Sequence, residues 1–309
     1  MLQAINLSKK YKTKVVVKEV NVELFAGESV GLLGPNGAGK STTISMLSSL
    51  VQPSSGDVLW NEKSIAKNPD PLRKALGVVP QEIALYPELS ARENLAFFGR
   101  VNGLKGELLA TRITEVLTKI GLLDRQKDIV KTFSGGMKRR LNIGSALLHK
   151  PSILIMDEPT VGIDPQSRAY ILETVKQFVA DGMTLLYTSH YMEEVEMLCD
   201  KIYIMDQGKI IAHGTKEELK ELVSDNQTIE LKTNLLTENF EKNLKEQFPQ
   251  ATFRIDEEIL TISMSKSEEP LANIFAIAAA SNVVITSAIV KVPSLEDVFL
   301  HLTGKALRD

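Results

Sequence analysis

The 309-residue sequence predicts an α/β domain over residues 1–223 followed by a small α+β domain over 224–309. Three observations carry that prediction. Short apolar runs ending in glycine or acidic residues alternate with helix-like stretches in the first part, the pattern of an α/β fold. Between Ile83 and His149 the alternation gives way to helical periodicity, so a helical subdomain is inserted between sheet strands. At Ser224-Asp225-Asn226-Gln227 the apolar pattern lapses, which marks a linker, and a different element order begins.

Val20, Val22 and Leu24 alternate with Asn21 and Glu23, as in a half-buried strand. Ser29–Leu33 is a short apolar strand running into a glycine-rich turn, and a helix is expected from Lys40 to about Leu50. Leu76–Val79 reads as a strand. Arg92–Val101 and Thr111–Ile120 read as helices of the insert, and strands return at Ile153–Met156, Thr184–Tyr187 and Ile202–Met205. Beyond the linker, Ile229 and Leu231 alternate with Glu230 and Lys232, and Leu236, Phe240 and Leu244 recur at helical spacing. Phe253 and Ile255, then Leu260, Ile262 and Met264, form a hairpin about Asp256-Glu257-Glu258. A helix near Leu271–Ala280 and a strand near Val283–Val292 complete β-α-β-β-α-β, the ferredoxin-like order.

Composition narrows the function classes. With 36 basic against 39 acidic residues, the net charge of −3 provides no broad attraction to nucleic acid, and no nucleic-acid partner is expected. The single cysteine, Cys199, excludes an internal disulfide and fits a reducing compartment. It reads as a small buried apolar residue. The N-terminus has no apolar core followed by a cleavage site, so no signal peptide is expected. Leu271–Val290 is about as long as a membrane span. Asn273, Ser281, Asn282, Thr286 and Ser287 interrupt it, however, and it changes from alanine-rich to β-branched halfway, so a soluble chain is expected.

Gly34-Pro35-Asn36-Gly37-Ala38-Gly39-Lys40-Ser41-Thr42 fits the phosphate-binding loop G-x-x-x-x-G-K-[ST]. Glycines let backbone N–H groups converge on phosphate oxygens, and the helix starting at Lys40 adds the positive end of its dipole. Lys40 is expected to reach the β- and γ-phosphates, and the Ser41 hydroxyl to ligate Mg²⁺. Ser152–Met156 is an apolar strand ending in two carboxylates. Beside a phosphate loop, Asp157 becomes a Mg²⁺ partner. Glu158 is then placed to orient and deprotonate a water that attacks the γ-phosphate; positioned bases typically contribute ~10²–10⁴-fold.

Phe133-Ser134-Gly135-Gly136-Met137-Lys138-Arg139-Arg140 resembles the signature of the ABC ATPases, S-G-G followed by a basic helix. Physically it is another small-residue turn opening a helix, with Ser134 as N-cap, suited to an anion. The resemblance spans about Met1–Val223 and implies a phosphate-loop ABC ATPase domain with a helical subdomain. By that resemblance Tyr11 stacks on adenine, and the loop Asn36, Gly37, Ala38, Gly39, Lys40, Ser41 and Thr42 holds the phosphates. Gln81 senses Mg²⁺ and water at the start of the helical insert, and His190 contacts the γ-phosphate. Val161-Gly162-Ile163-Asp164 matches a loop that crosses a dimer interface, with Val161 where Ala or Ser is commoner. The family's two ATPase domains meet head to tail. Each ATP lies between one copy's phosphate loop and the other's Ser134, Gly135 and Gly136. One motif set in the chain therefore implies a second copy or a similar subunit.

Pro293–Gly304 resembles the closing segment of ATPases that serve exporters of the daunorubicin-resistance type. It reads as a helix with Ser294 and Asp297 in a capping box and Leu295, Val298, Phe299 and Leu302 on one face. The resemblance implies an ATP- and Mg²⁺-dependent motor at the cytoplasmic face of the cell membrane, docked on a separate integral-membrane permease. Leu85, Tyr86 and Pro87, just past Gln81, are the expected docking residues. An importer ATPase is the alternative. A soluble ABC ATPase acting on ribosomes or DNA is disfavoured, because the chain has neither a second ATPase domain nor a long coiled-coil insert.

Overall fold

The computed structural model describes residues 1–189, 191–223, 226–256, 259–265, 270–291 and 294–303. The chain divides into two compact units, Met1–Lys216 and Glu217–Lys305. The division falls after Lys216, ahead of the 223/224 position that the lapse in apolar pattern suggests.

The first unit opens with strands β1 (Leu2–Tyr11), β2 (Lys14–Leu24) and β3 (Ser29–Leu33), helix α1 (Lys40–Leu47), strands β4 (Ser55–Trp60) and β5 (Lys63–Ser64), helix α2 (Asp70–Ala75) and strand β6 (Leu76–Val79). Helices α3 (Ala91–Val101), α4 (Gly106–Lys119) and α5 (Gly135–Leu147) form the insert. Then come β7 (Ile153–Asp157), α6 (Pro165–Ala180), β8 (Thr184–Thr188), α7 (Met192–Leu198), β9 (Lys201–Asp206) and β10 (Lys209–Thr215). Helix α8 (Lys216–Glu221) spans the division between the units.

One sheet, in the order β2-β1-β4-β5, is antiparallel. The other, β10-β9-β3-β8-β7-β6, is parallel except for its edge strand β10. Every residue of β3, β7 and β8 is buried. Strands covered on both faces need no polar side, which is why they read as continuous apolar runs. Helix α1 contacts β1 and β2 in one sheet and β7 in the other. Its Ile44, Met46 and Leu47 lie in one apolar cluster with Leu7, Val20, Ile155 and Leu186. Burying each such side chain contributes about 1.5–3 kcal/mol, so this cluster anchors the turn preceding α1.

The insert helices start where local chemistry allows. Ser90 and Glu93 form a reciprocal capping box at the start of α3. Helix α4 starts at Gly106, earlier than the expected Thr111, after an extended Lys105. Helix α1 stops at Leu47, short of Leu50.

The second unit contains β11 (Asn226–Thr233), α9 (Glu238–Gln247), β12 (Thr252–Asp256), β13 (Ile259–Ser265), α10 (Pro270–Ala280), β14 (Ile285–Lys291) and α11 (Leu295–Thr303). Its sheet runs β12-β13-β11-β14, all antiparallel, which is the strand order of a ferredoxin-like fold. Ile229, Leu231, Phe240, Leu244, Leu260, Ile262 and Ile274 make its core. The membrane-length stretch is indeed helix then strand, α10 then β14, and no helix among the described residues is long and apolar enough to cross a membrane. Ser294 caps α11 reciprocally with Asp297, and Leu295, Val298 and Phe299 are buried. The tip of the expected hairpin, Glu257-Glu258, lies outside the described residues.

Candidate functional site

The phosphate loop joins β3 to α1, as its sequence requires. Gly39 caps the helix at φ +107°, where a Cβ would stand 2.9 Å from the Val16 carbonyl oxygen. Gly37 is at φ +80° with open space where its Cβ would be. One glycine thus admits the β2 backbone, and the other leaves room over the loop for a phosphate. Asn36 and Gly37 are exposed, Ala38 is buried, Ser41 is exposed in the first turn of α1, and Thr42 is half-buried.

Lys40 is buried at 5% exposure. Its Nζ donates to the Gly34 carbonyl at 2.6 Å and the Pro35 carbonyl at 3.3 Å, and lies 3.5 Å from Glu158 Oε1. Burial pulls the ammonium below its ordinary pKa, and the Glu158 and Asp157 carboxylates oppose that shift.

Glu158 follows β7 at φ +47°, a left-handed conformation that costs a non-glycine residue about 1–3 kcal/mol. Bonds from distant segments hold it there. Its backbone N–H donates to Thr188 Oγ1 at 2.9 Å, and Gln81 Nε2 donates to its Oε2 at 2.9 Å. Thr188 also donates to Asp157 Oδ1 at 2.8 Å, so one hydroxyl at the end of β8 fixes both acidic residues. The Ser41 hydroxyl, the Gln81 amide oxygen and the Asp157 carboxylate are hard oxygen donors, a set that suits Mg²⁺.

The structure therefore brings Lys40, Gln81, Asp157 and Glu158 together. Tyr11 is the last residue of β1; it is 46% exposed, with Lys9 Nζ 5.2 Å from its ring centre. Ser134 caps α5 and accepts from Met137 N–H at 3.3 Å. Ser134 and Gly135 are exposed, while Gly136 is buried where any side chain would collide with Ser167. This segment packs against residues 163–167, and none of its described bonds reaches its own phosphate loop. Asp164 caps α6 by accepting from Ser167 N–H at 2.9 Å, a bond that lowers its carboxyl pKa. His190 lies outside the described residues.

Three groups that the sequence motifs assign no role also shape the site. Thr188 is a plain strand residue until β7 and β8 align. Glu194 is 1% exposed and accepts from Thr160, Tyr187 and Ser189 hydroxyls and from Arg168, joining the residues that flank the dimer loop to those before α7. Arg139 is 3% exposed and donates to the carbonyls of Pro80 and Gln81. Cys199 is buried, as expected, and burial pushes its thiol pKa up.

Residues 17–161 match the ABC transporter family model. The chain is 50% identical over its full length to the linearmycin resistance ATP-binding protein of Bacillus subtilis, covering all of that protein. It is 37% identical to a Nod factor export ATP-binding protein of Cupriavidus metallidurans, spanning 100% of this chain and 99% of that one. It is 33% identical to the daunorubicin/doxorubicin resistance ATP-binding protein of Streptomyces peucetius, spanning 100% and 94%. Among solved structures, an ATP-binding subunit of an ABC transporter aligns with TM-score 0.65 and 32% identity, over 72% of this chain and 92% of that one. A dimeric ATP-binding cassette bound to ADP and Pi aligns with TM-score 0.64 and 26% identity, over 70% and 98%. The fold and site are those of a phosphate-loop ATPase, and the chain belongs to the ATP-binding proteins of the ABC transporter family. The full-length relatives are named for resistance to antibiotics or for export.

Proposed function

We propose that this chain is the ATP-hydrolysing motor of an exporter, working as a head-to-tail dimer on a separate membrane permease. The observation that carries the catalytic part is Glu158, held between Lys40 and Gln81 with one carboxylate oxygen toward each. The export part is supported by likeness over the whole chain, second unit included, to relatives named for resistance and export.

In this reading the loop from Asn36 to Thr42 cradles the phosphates, Tyr11 stacks on the base, and Lys40 neutralises β- and γ-phosphate charge. Ser41, Gln81 and Asp157 would hold Mg²⁺, which when bound draws electron density from the phosphates. Glu158 takes a proton from the attacking water as the new O–P bond forms and ADP leaves. Gln81 orients that water through its bond to Glu158, and His190 contacts the γ-phosphate. Ser134, Gly135 and Gly136 close over the ATP held by the other copy. The permease places the motor at the cytoplasmic face of the membrane.

Glu158→Gln in the full chain tests the assignment. ATP affinity stays near that of the parent, hydrolysis falls ~10²-fold or more, and an ATP-bound dimer accumulates on size-exclusion chromatography. Near-normal turnover removes Glu158 as the base. Co-purification with an integral-membrane protein tests the exporter reading separately.

A further inference from the structure

We infer that Arg139 is a positioning residue that clamps the hinge carrying Gln81 to the helix opening with Ser134. It thereby ties a chain's own Glu158 to the signature segment that the chain offers to its partner copy.

Arg139 lies inside helix α5, buried at 3% exposure. Nη1 donates to the Pro80 carbonyl at 2.8 Å, and Nη2 donates to the Gln81 carbonyl. Asn142, one turn further along the same helix, accepts from the Ala84 N–H at 3.3 Å. Two side chains on one face of α5 therefore grip the backbone of residues 80–84. The Gln81 side chain continues outward to Glu158 Oε2 at 2.9 Å. Ser134 begins the same helix, five residues before Arg139, about 7.5 Å along its axis. Glu158, Gln81, Arg139 and Ser134 thus form one connected series.

This arrangement is expensive for stability alone. Among the described residues no carboxylate lies in ion-pair range of Arg139, and its Nε has no hydrogen-bond partner. Burial works against its charge, yet a guanidinium stays protonated. An apolar side chain of similar volume would avoid that desolvation but would leave the Pro80 and Gln81 carbonyls without these donors. What the guanidinium adds is a rigid, two-pronged hold on consecutive carbonyls, the geometry its planar fork provides.

The inference rests on the proposed roles of Gln81 and of the head-to-tail dimer. Its test is a double-mutant cycle in the full chain, with Arg139→Met and Gln81→Ala, singly and together. Arg139→Met melts below the parent, since two carbonyls lose their donors, but keeps ATP affinity within about twofold, while kcat falls about tenfold from the misplaced Gln81. Arg139→Gln, which keeps amide donors without the charge, recovers part of that loss. In the Gln81→Ala background Arg139→Met costs nothing further, because the two act as a unit. Unchanged kcat in Arg139→Met, or losses that multiply in the double variant, overturn the clamp while leaving the catalytic role of Gln81 intact. A Gln81→Ala chain with normal kcat removes that role and the clamp together. If Arg139→Met does not fold, Arg139→Gln runs the same cycle.

Discussion

Lys40 shows how this site stores its reactivity. Its ammonium is buried against two loop carbonyls and paired with Glu158, so burial weakens the charge while the carboxylate restores it. A phosphate entering the loop meets a cation already desolvated and aimed. Lys40→Ala is expected to lower nucleotide affinity sharply, because each charge-assisted hydrogen bond is worth about 1.5–3 kcal/mol. Tyr11→Ala costs less, on the order of 1–3 kcal/mol if its exposed ring stacks on the base. Titration calorimetry separates the two, and an unchanged affinity for Tyr11→Ala removes the stacking role. Lys40, Asp157 and Glu158 were legible in the sequence because the phosphate loop and strand-end acids occupy fixed chain positions. Arg139 was not. In the run Lys138-Arg139-Arg140 nothing local says which residue turns inward, since that depends on what packs against α5.

At the level of elements, the helical insert carries a surface the sequence only hinted at. Tyr86 is 46% exposed yet sits edge-on to Phe97, with ring centres 4.8 Å apart, and Phe97 packs edge-on to Phe98 at 5.3 Å. Buried Asn94 pins the Tyr86 backbone from both sides, accepting from its N–H at 2.8 Å and donating to its carbonyl at 3.0 Å. The loop after Gln81 is therefore a fixed aromatic rim, and such exposed aromatics commonly anchor partners. Tyr86→Asp is expected to abolish recruitment to permease-containing membranes while the ATPase stays folded and active. Loss of folding would assign Tyr86 to internal packing, and full recruitment would remove it as a docking residue.

For the whole molecule, the described contacts of Ser134, Gly135 and Gly136 lie with their own cap and with residues 163–167. The proposed use of these residues on a second copy's ATP is tested by mixing chains. Ser134→Arg and Glu158→Gln chains are each inactive as homodimers. Combined, they form one site with both defects and one with neither, so activity returns if one intact site suffices. If Ser134 served its own chain's nucleotide, each site would carry one defect and mixing would restore nothing.

The sequence by itself determined many of the elements and the contiguous motifs of the site. Contiguous motifs such as residues 34–42 fold locally, and their chemistry travels with them. Continuous apolar runs placed β3, β7 and β8, which are buried on both faces, while period-two and helical patterns placed the β-α-β-β-α-β order of the second unit, where burial of one face imposes those periods. Tertiary structure alone decided what depends on distant segments meeting. It aligned β7 with β8 so that Thr188 fixes Asp157 and Glu158, buried Glu194 under Thr160, Tyr187, Ser189 and Arg168, and turned Arg139 onto the Gln81 backbone. A single chain position carries no record of such meetings, since the partner's location is set by packing and not by spacing along the sequence.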